Sequence, residues 1–139
     1  MTEMTKSPVI IENTDSDSVF SDFVVLPESF GTPAYDLRED VIAVRGAVDR
    51  ALSRLDELTG FTGRIRGRKV IIKPNLVSVY HDSGFRDRDY PETTDPRVFE
   101  AVVRFVSRYT DDITIAESSG KPMPTIVNFK TTGYDRIAK

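Results

Sequence analysis

From residue 19 onward, apolar positions form short unbroken runs that alternate with stripes spaced three or four residues apart. Val70-Ile71-Ile72, set between Lys69 and Lys73, is a β-branched run that reads as a strand buried on both faces and ended by Pro74. Residues 19–26 read as an earlier strand closed by Pro27, and Ile113-Thr114-Ile115-Ala116 as a later one. Between the first two strands, Val41, Val44, Val48, Ala51, Leu52, Leu55 and Leu58 recur at helical spacing. They predict a helix over 36–59 with Arg45, Asp49, Arg50, Arg54 and Glu57 facing away. Gly60 supplies its C-terminal stop. Gly46 within it costs up to ~1 kcal/mol against alanine, which predicts close packing on the sheet. Asp95-Pro96 opens a second helix, Asp95 as N-cap and Pro96 in the first helical position, with Val98, Phe99, Val102, Val103 and Val106 as its apolar stripe and an end near Tyr109. Residues 125–139 read as partly helical, interrupted at Gly133.

Strand–helix–strand–helix–strand–helix is the order expected of a parallel sheet with right-handed crossovers, hence a three-layer αβα domain with a mainly parallel sheet over residues 19–139. Residues 1–18 are rich in Ser, Thr, Asp and Asn and read as a disordered tail; the competing reading is an arm docking through Ile10 and Ile11. Residues 27–33 carry two prolines and Gly31 and read as a loop. Residues 78–94 exceed the ~2–6 residues usual between strand and helix, so they form either a lid over the strand ends or an insertion without a duty. The run Arg64-Ile65-Arg66-Gly67-Arg68-Lys69 lacks the aromatic neighbours of a nucleic-acid surface and reads as a solvated turn.

Composition narrows the classes. At 139 residues, with 39% hydrophobic and 29% charged residues, the chain can build one real core. A net charge of −3 and a pI near 5.2 offer no general attraction to nucleic acid or anionic lipid. The chain contains no cysteine, so neither a disulfide nor a cysteine-ligated iron–sulfur cluster can form within it. The acidic N-terminus lacks the basic start and apolar centre of a secretory signal, and no apolar run approaches ~20 residues, so a cytoplasmic protein without a membrane span is expected.

Candidate chemistry gathers where the strands end, the place at which open α/β sheets bind ligands. Lys73 and Asn75 leave one strand; Glu117, Ser118 and Ser119 leave another. Were these strands adjacent, an ammonium, an amide, a carboxylate and two hydroxyls would share one crevice. Lys73 would then pair a small anionic or carboxylate metabolite, Asn75 would orient it, and Glu117 would serve as general base or help hold a cation. The competing reading is that Lys73 and Glu117 pair with each other and tie the strand ends together. Ser118-Ser119-Gly120-Lys121 is not a P-loop, because Pro122 and Pro124 follow and remove two N–H donors, yet Ser118, Ser119 and the Gly120 amide could touch a small anion. His81, the single histidine, has Asp82, Asp87, Asp89 and Glu92 nearby but no second histidine at ligand spacing, and reads as solvent-exposed rather than metal-binding.

Val70-Ile71-Ile72-Lys73-Pro74-Asn75-Leu76-Val77, then Thr94-Asp95-Pro96 before a Val-rich helix, Ile113-Thr114-Ile115-Ala116-Glu117-Ser118, and Thr132-Gly133-Tyr134 together resemble the N-terminal half of domain of unknown function family 362, over roughly residues 19–139. K-P-N-L is the most specific part. The resemblance implies a role for Lys73, Asn75 and Glu117 as site residues but no established activity. Some family members carry ferredoxin-like cysteine motifs, a feature this cysteine-free chain does not share. Resemblance to half a domain further implies a half site and an uncovered sheet edge, completed by another chain or by a homo-oligomer, or left open in a truncated form. Two functions follow: binding of a small anionic metabolite as part of an enzyme, or a non-catalytic fragment or interaction module in which the same polar residues are structural.

Overall fold

The computed structural model describes residues 7–14, 29–76, 93–118 and 124–138. The expected strand over 19–26, most of the long loop over 78–94, His81, Ser119 and Gly120 lie outside the described residues. Two strands, β1 (Val70–Ile72) and β2 (Ile113–Ile115), pair in parallel, with Val70 opposite Ile113 and Ile72 opposite Ile115. Helix α4 (Pro96–Ser107) is the crossover between them. With helices before and after, the chain is α/β, as the alternation of patterns predicts.

Helix α4 begins where its sequence dictates. The Asp95 carboxylate accepts the Arg97 N–H at 2.8 Å, and Pro96 needs no donor at that position. Its Phe99 and Val103 pack toward Ile72 and Ile115 on one face of the sheet, in a cluster with Leu76, Phe129, Ile137 and Tyr134. The other face is not filled among the described residues: Ile71 is 63% exposed. The strand was expected to be buried on both faces because three apolar residues adjoin. Only the face shared by Val70 and Ile72 has α4 on it, so the second helical layer is not part of the described fold.

The expected helix over 36–59 is two helices. Thr32 caps α1 (Pro33–Asp36), its Oγ accepting the Tyr35 N–H, and Leu37 and Arg38 break the path before α2 (Glu39–Thr59). The loop expected over 27–33 thus gives way to helix at Pro33, the position where proline suits a first turn. Gly60, at φ 62°, ends α2 in the left-handed region, as the pattern predicts. Immediately after it, α3 (Phe61–Ile65) forms, its Thr62 N–H and hydroxyl both held by the Asp56 carboxylate. Arg64 and Ile65, expected in a solvated turn, belong to this helix, whereas Arg66 and Arg68 beyond it are exposed, in keeping with the turn expected there.

Helix α2 packs on α4 rather than on the sheet. A Cβ at Gly46 would meet only the Arg50 guanidinium, at 3.4 Å, so this glycine does not mark close packing against strands. Leu58, expected in the core, is 62% exposed, because the stripe runs past the end of the α4 contact. Arg45 and Asp49, expected to face away, instead face α4. Arg45 donates two hydrogen bonds to Glu100, at 2.9 and 2.7 Å, and Asp49 pairs with Arg108. Farther toward the N-terminus, the fully buried Arg97 bridges Asp40 at 2.8 Å and Asp95 at 2.6 Å. The interface between these helices is therefore a ladder of ion pairs around a thin apolar seam of Val41, Val44 and Ala47.

In the N-terminal segment, Glu12 lies 3.6 Å from Arg50 and 3.9 Å from Arg54, and the Asn13 carbonyl accepts from Arg50 at 2.9 Å. Ile10 is half-buried, whereas Val9 and Ile11 are exposed. At the other end, α5 (Thr125–Thr132) stops at Gly133, φ 80°, and α6 (Tyr134–Ile137) follows, the interruption that the glycine predicts.

Candidate functional site

Parallel pairing of β1 with β2 brings their C-terminal ends side by side, and the first residues beyond them meet. Lys73 Nζ lies 2.5 Å from Glu117 Oε2. The two partners differ sharply in environment: the Lys73 side chain is 62% exposed, that of Glu117 only 5%. Both oxygens of Glu117 are engaged, Oε2 by Lys73 and Oε1 by the Ser118 N–H at 2.8 Å. Lys73 also donates to the Pro74 carbonyl at 3.3 Å. An ammonium carries three donors, so one remains for an acceptor from solvent or a ligand among these described contacts.

Asn75 is set by its backbone. Its N–H donates to the Thr94 hydroxyl at 2.9 Å and its carbonyl accepts the Thr94 N–H at 2.8 Å, next to the antiparallel bridge between Leu76 and Thr93. Pro74 and Leu76 are buried on either side, and Asn75 between them is exposed, as is Lys73. Thr94 is in turn anchored from below. Its carbonyl accepts the Tyr134 hydroxyl, and the Tyr134 ring, fully buried, stacks on Phe99 with centroids 4.5 Å apart. Burial drives the Tyr134 phenol well above its ordinary pKa, and the nearby Asp95 charge pushes the same way, so it is a permanent donor.

Sequence reasoning missed this anchor. Tyr134 was legible only as part of a turn, and the one available signal was its place after Gly133, whose left-handed backbone points the next residue back at the core. It also missed the Arg97–Asp40–Asp95 cluster behind the site. Burial alone would raise the Asp40 carboxyl, but hydrogen bonds from Arg38 and Arg97 more than offset it and hold it down at about 2. Of the residues picked from the sequence, Lys73, Glu117 and Ser118 come together at the strand ends, and Asn75 lies exposed two residues beyond Lys73. No cluster of three or more acidic or histidine side chains suited to a metal occurs among the described residues. No helix among them is long and apolar enough to cross a membrane.

The family model described as "Domain of unknown function (DUF362)" matches residues 70–139, half of the chain. The chain belongs to the DUF362 family. The match begins at the first residue of β1 and takes in every segment that builds the rim: the K-P-N-L turn, Thr94-Asp95-Pro96, Glu117-Ser118 and Thr132-Gly133-Tyr134. In this DUF362 chain these separate stretches are thus a single constellation around the ends of two strands. The resemblance expected from residue 19 is narrower in the match, which leaves α1, α2 and α3 outside it. No curated protein and no solved structure matches the chain.

Proposed function

We propose that this DUF362 chain binds a small anionic or carboxylate metabolite at the ends of β1 and β2, as part of an enzyme. One observation supports the reading most: an exposed ammonium, Lys73, is held by a sheltered carboxylate, Glu117, two residues before the exposed Asn75 on a braced turn. An anion would approach Lys73 from solvent and share it with Glu117, while Asn75 supplies a hydrogen bond and direction. Ser118, with Ser119 and the Gly120 amide, would add contacts to the same anion. An incoming anion that draws Lys73 away would free Glu117 Oε2 to accept a proton, and Glu117 and Lys73 would then be the catalytic pair.

The engagement of both Glu117 oxygens favours a second reading, in which the pair only closes the sheet in an interaction module or a domain completed by another chain. Thermal melts separate the two. Phosphate, small carboxylates and divalent ions are screened against the wild type and Lys73→Ala. Ligand binding predicts at least one compound that raises the melting temperature of the wild type and not of the variant. Identical responses in both proteins, with Lys73→Ala merely less stable, would support the structural reading instead.

A further inference from the structure

The run Arg64–Lys69 contains no aromatic residue, but the fold lays rings beside it. Gly67, at φ 63°, turns the chain so that its N–H reaches the Tyr109 carbonyl at 2.9 Å, and the Arg66 guanidinium lies over the Tyr109 ring, 5.2 Å from its centroid. One turn earlier, Phe105 of α4 stacks on Phe61 of α3, and the Arg108 guanidinium lies over Phe105 at 5.2 Å. The Thr110 hydroxyl donates to the Arg68 carbonyl at 2.7 Å and fixes the far side of the turn. Charge sets this corner apart from the helices. Every arginine within α2 and α4 has a carboxylate within 3.9 Å, whereas Arg64, Arg66, Arg68 and Lys69 are exposed and have no ion pair among the described residues. The Asp56 carboxylate lies within electrostatic reach of Arg64 and Arg66, but both its oxygens accept from Thr62. Asp111 and Asp112, exposed beyond Tyr109, form no ion pair with the turn, so the corner keeps an excess of positive charge on a chain of net charge −3.

We infer that this corner is a docking surface for single-stranded nucleic acid. Lys69 precedes β1 and Lys73 follows it, so the surface lies at the opposite end of the strand from the Lys73–Glu117 site and is independent of the reading given to that site. Four cations within six residues take backbone phosphates, and the release of condensed counterions supplies the affinity. The guanidinium groups held over Tyr109 and Phe105 offer stacking surfaces to bases that are not already stacked in a duplex. A lipid surface or a sulfated polymer would use the charges alone and leave the aromatic support without a part.

The test is fluorescence anisotropy of a labelled oligothymidylate of ~12 nucleotides titrated with the full chain. Four phosphate contacts on a single strand predict a slope of about −3 in log affinity against log salt, a loss of about 50-fold between ~50 and ~200 mM. Replacing Arg66 and Arg68 together by glutamine removes two contacts; it should halve the slope and weaken binding about tenfold at ~50 mM salt. Lys130→Gln with Arg136→Gln, an equal change of charge at exposed positions on α5 and α6, should bind as the wild type does. Tyr109→Leu should lose about tenfold for the oligonucleotide and nothing for vesicles rich in phosphatidylserine. Absence of binding at ~50 mM salt overturns the inference. So does equal weakening by the two double variants, which would mark net charge rather than this turn as the cause. Vesicles or a duplex of the same length binding as tightly as the single strand, or a folded Tyr109→Leu that binds unchanged, would make the corner a general polyanion surface and also overturn it. Circular dichroism checks each variant, and the exposed Arg66 and Arg68 decide the outcome should Tyr109→Leu fail to fold.

Discussion

Two buried tyrosines in this chain have opposite hydrogen-bonding status, and the contrast yields a sharp prediction. Tyr35 and Tyr134 are both 0% exposed, each ring stacked or tilted against a phenylalanine at 4.7 or 4.5 Å. The Tyr134 hydroxyl donates to the Thr94 carbonyl, whereas the Tyr35 hydroxyl has no partner among the described residues. Replacing either by phenylalanine keeps the ring and removes only the oxygen. At Tyr134 the loss is a hydrogen bond together with a carbonyl left unpaired in the interior, a cost of about 1–3 kcal/mol. At Tyr35 the loss is a desolvated hydroxyl that gained nothing on folding, so the change is neutral or stabilising by up to about 1 kcal/mol. For a chain of this length 1 kcal/mol moves the melting temperature by about 3–5 °C. Tyr134→Phe should therefore fall by about 3–15 °C, and Tyr35→Phe should stay level or rise. Urea unfolding followed by circular dichroism checks the same ordering: the midpoints should separate while the slope m stays constant. Equal destabilisation of the two variants would refute the reasoning, because it would mean that the ring environment rather than the hydroxyl partner decides the cost.

Further outcomes follow from the ionic seam and the helix start. Asp40 titrates at about 2 in the folded chain, below the ordinary carboxylate range. Its folded value being the lower one, its stabilising contribution is complete above about pH 4 and is lost as the pH falls toward 2. Acid-unfolding curves of Asp40→Asn should be flatter than those of the wild type in that window, and superimposable slopes would count against the assignment. Asp95→Ala removes the cap of α4 and one partner of the buried Arg97, and should cost more than the ~1 kcal/mol of an ordinary cap; calorimetry reading a loss under 0.5 kcal/mol would show that Arg97 is satisfied without it. The Arg45–Glu100 pair joins a half-buried arginine to a buried glutamate by two hydrogen bonds, so a double-mutant cycle on Arg45→Ala and Glu100→Ala should return a coupling of about 1–3 kcal/mol, and additivity would contradict the bidentate geometry.

What the sequence determined by itself is local. The parallel strands at 70–72 and 113–115, the Asp95 cap with Pro96 behind it, and the stops at Gly60 and Gly133 are properties of β-branched runs, short polar side chains and residues at positive φ. Each acts within a few positions of itself, so each can be read without knowing the rest of the chain. The neighbourhood of Lys73 and Glu117 was also within reach, because a parallel sheet must place successive strand ends together once the strands are known.

What only the tertiary structure decided is which face met which. Arg45, Asp49 and Arg97 look like solvent residues in a linear pattern, since charge is ordinarily left in water. They became interface residues because α2 met α4, and each found a partner 55 or more positions away. Ile71 looks like core and is exposed, for the complementary reason that apolarity favours burial without specifying what will cover it. Tyr134 belongs to the same class: its hydroxyl braces the turn that carries Asn75 only because α6 folds back across forty residues of chain to Thr94. Hydrophobic period records that a face will be buried; the identity of its neighbour is a long-range property, set by packing of the whole chain at once.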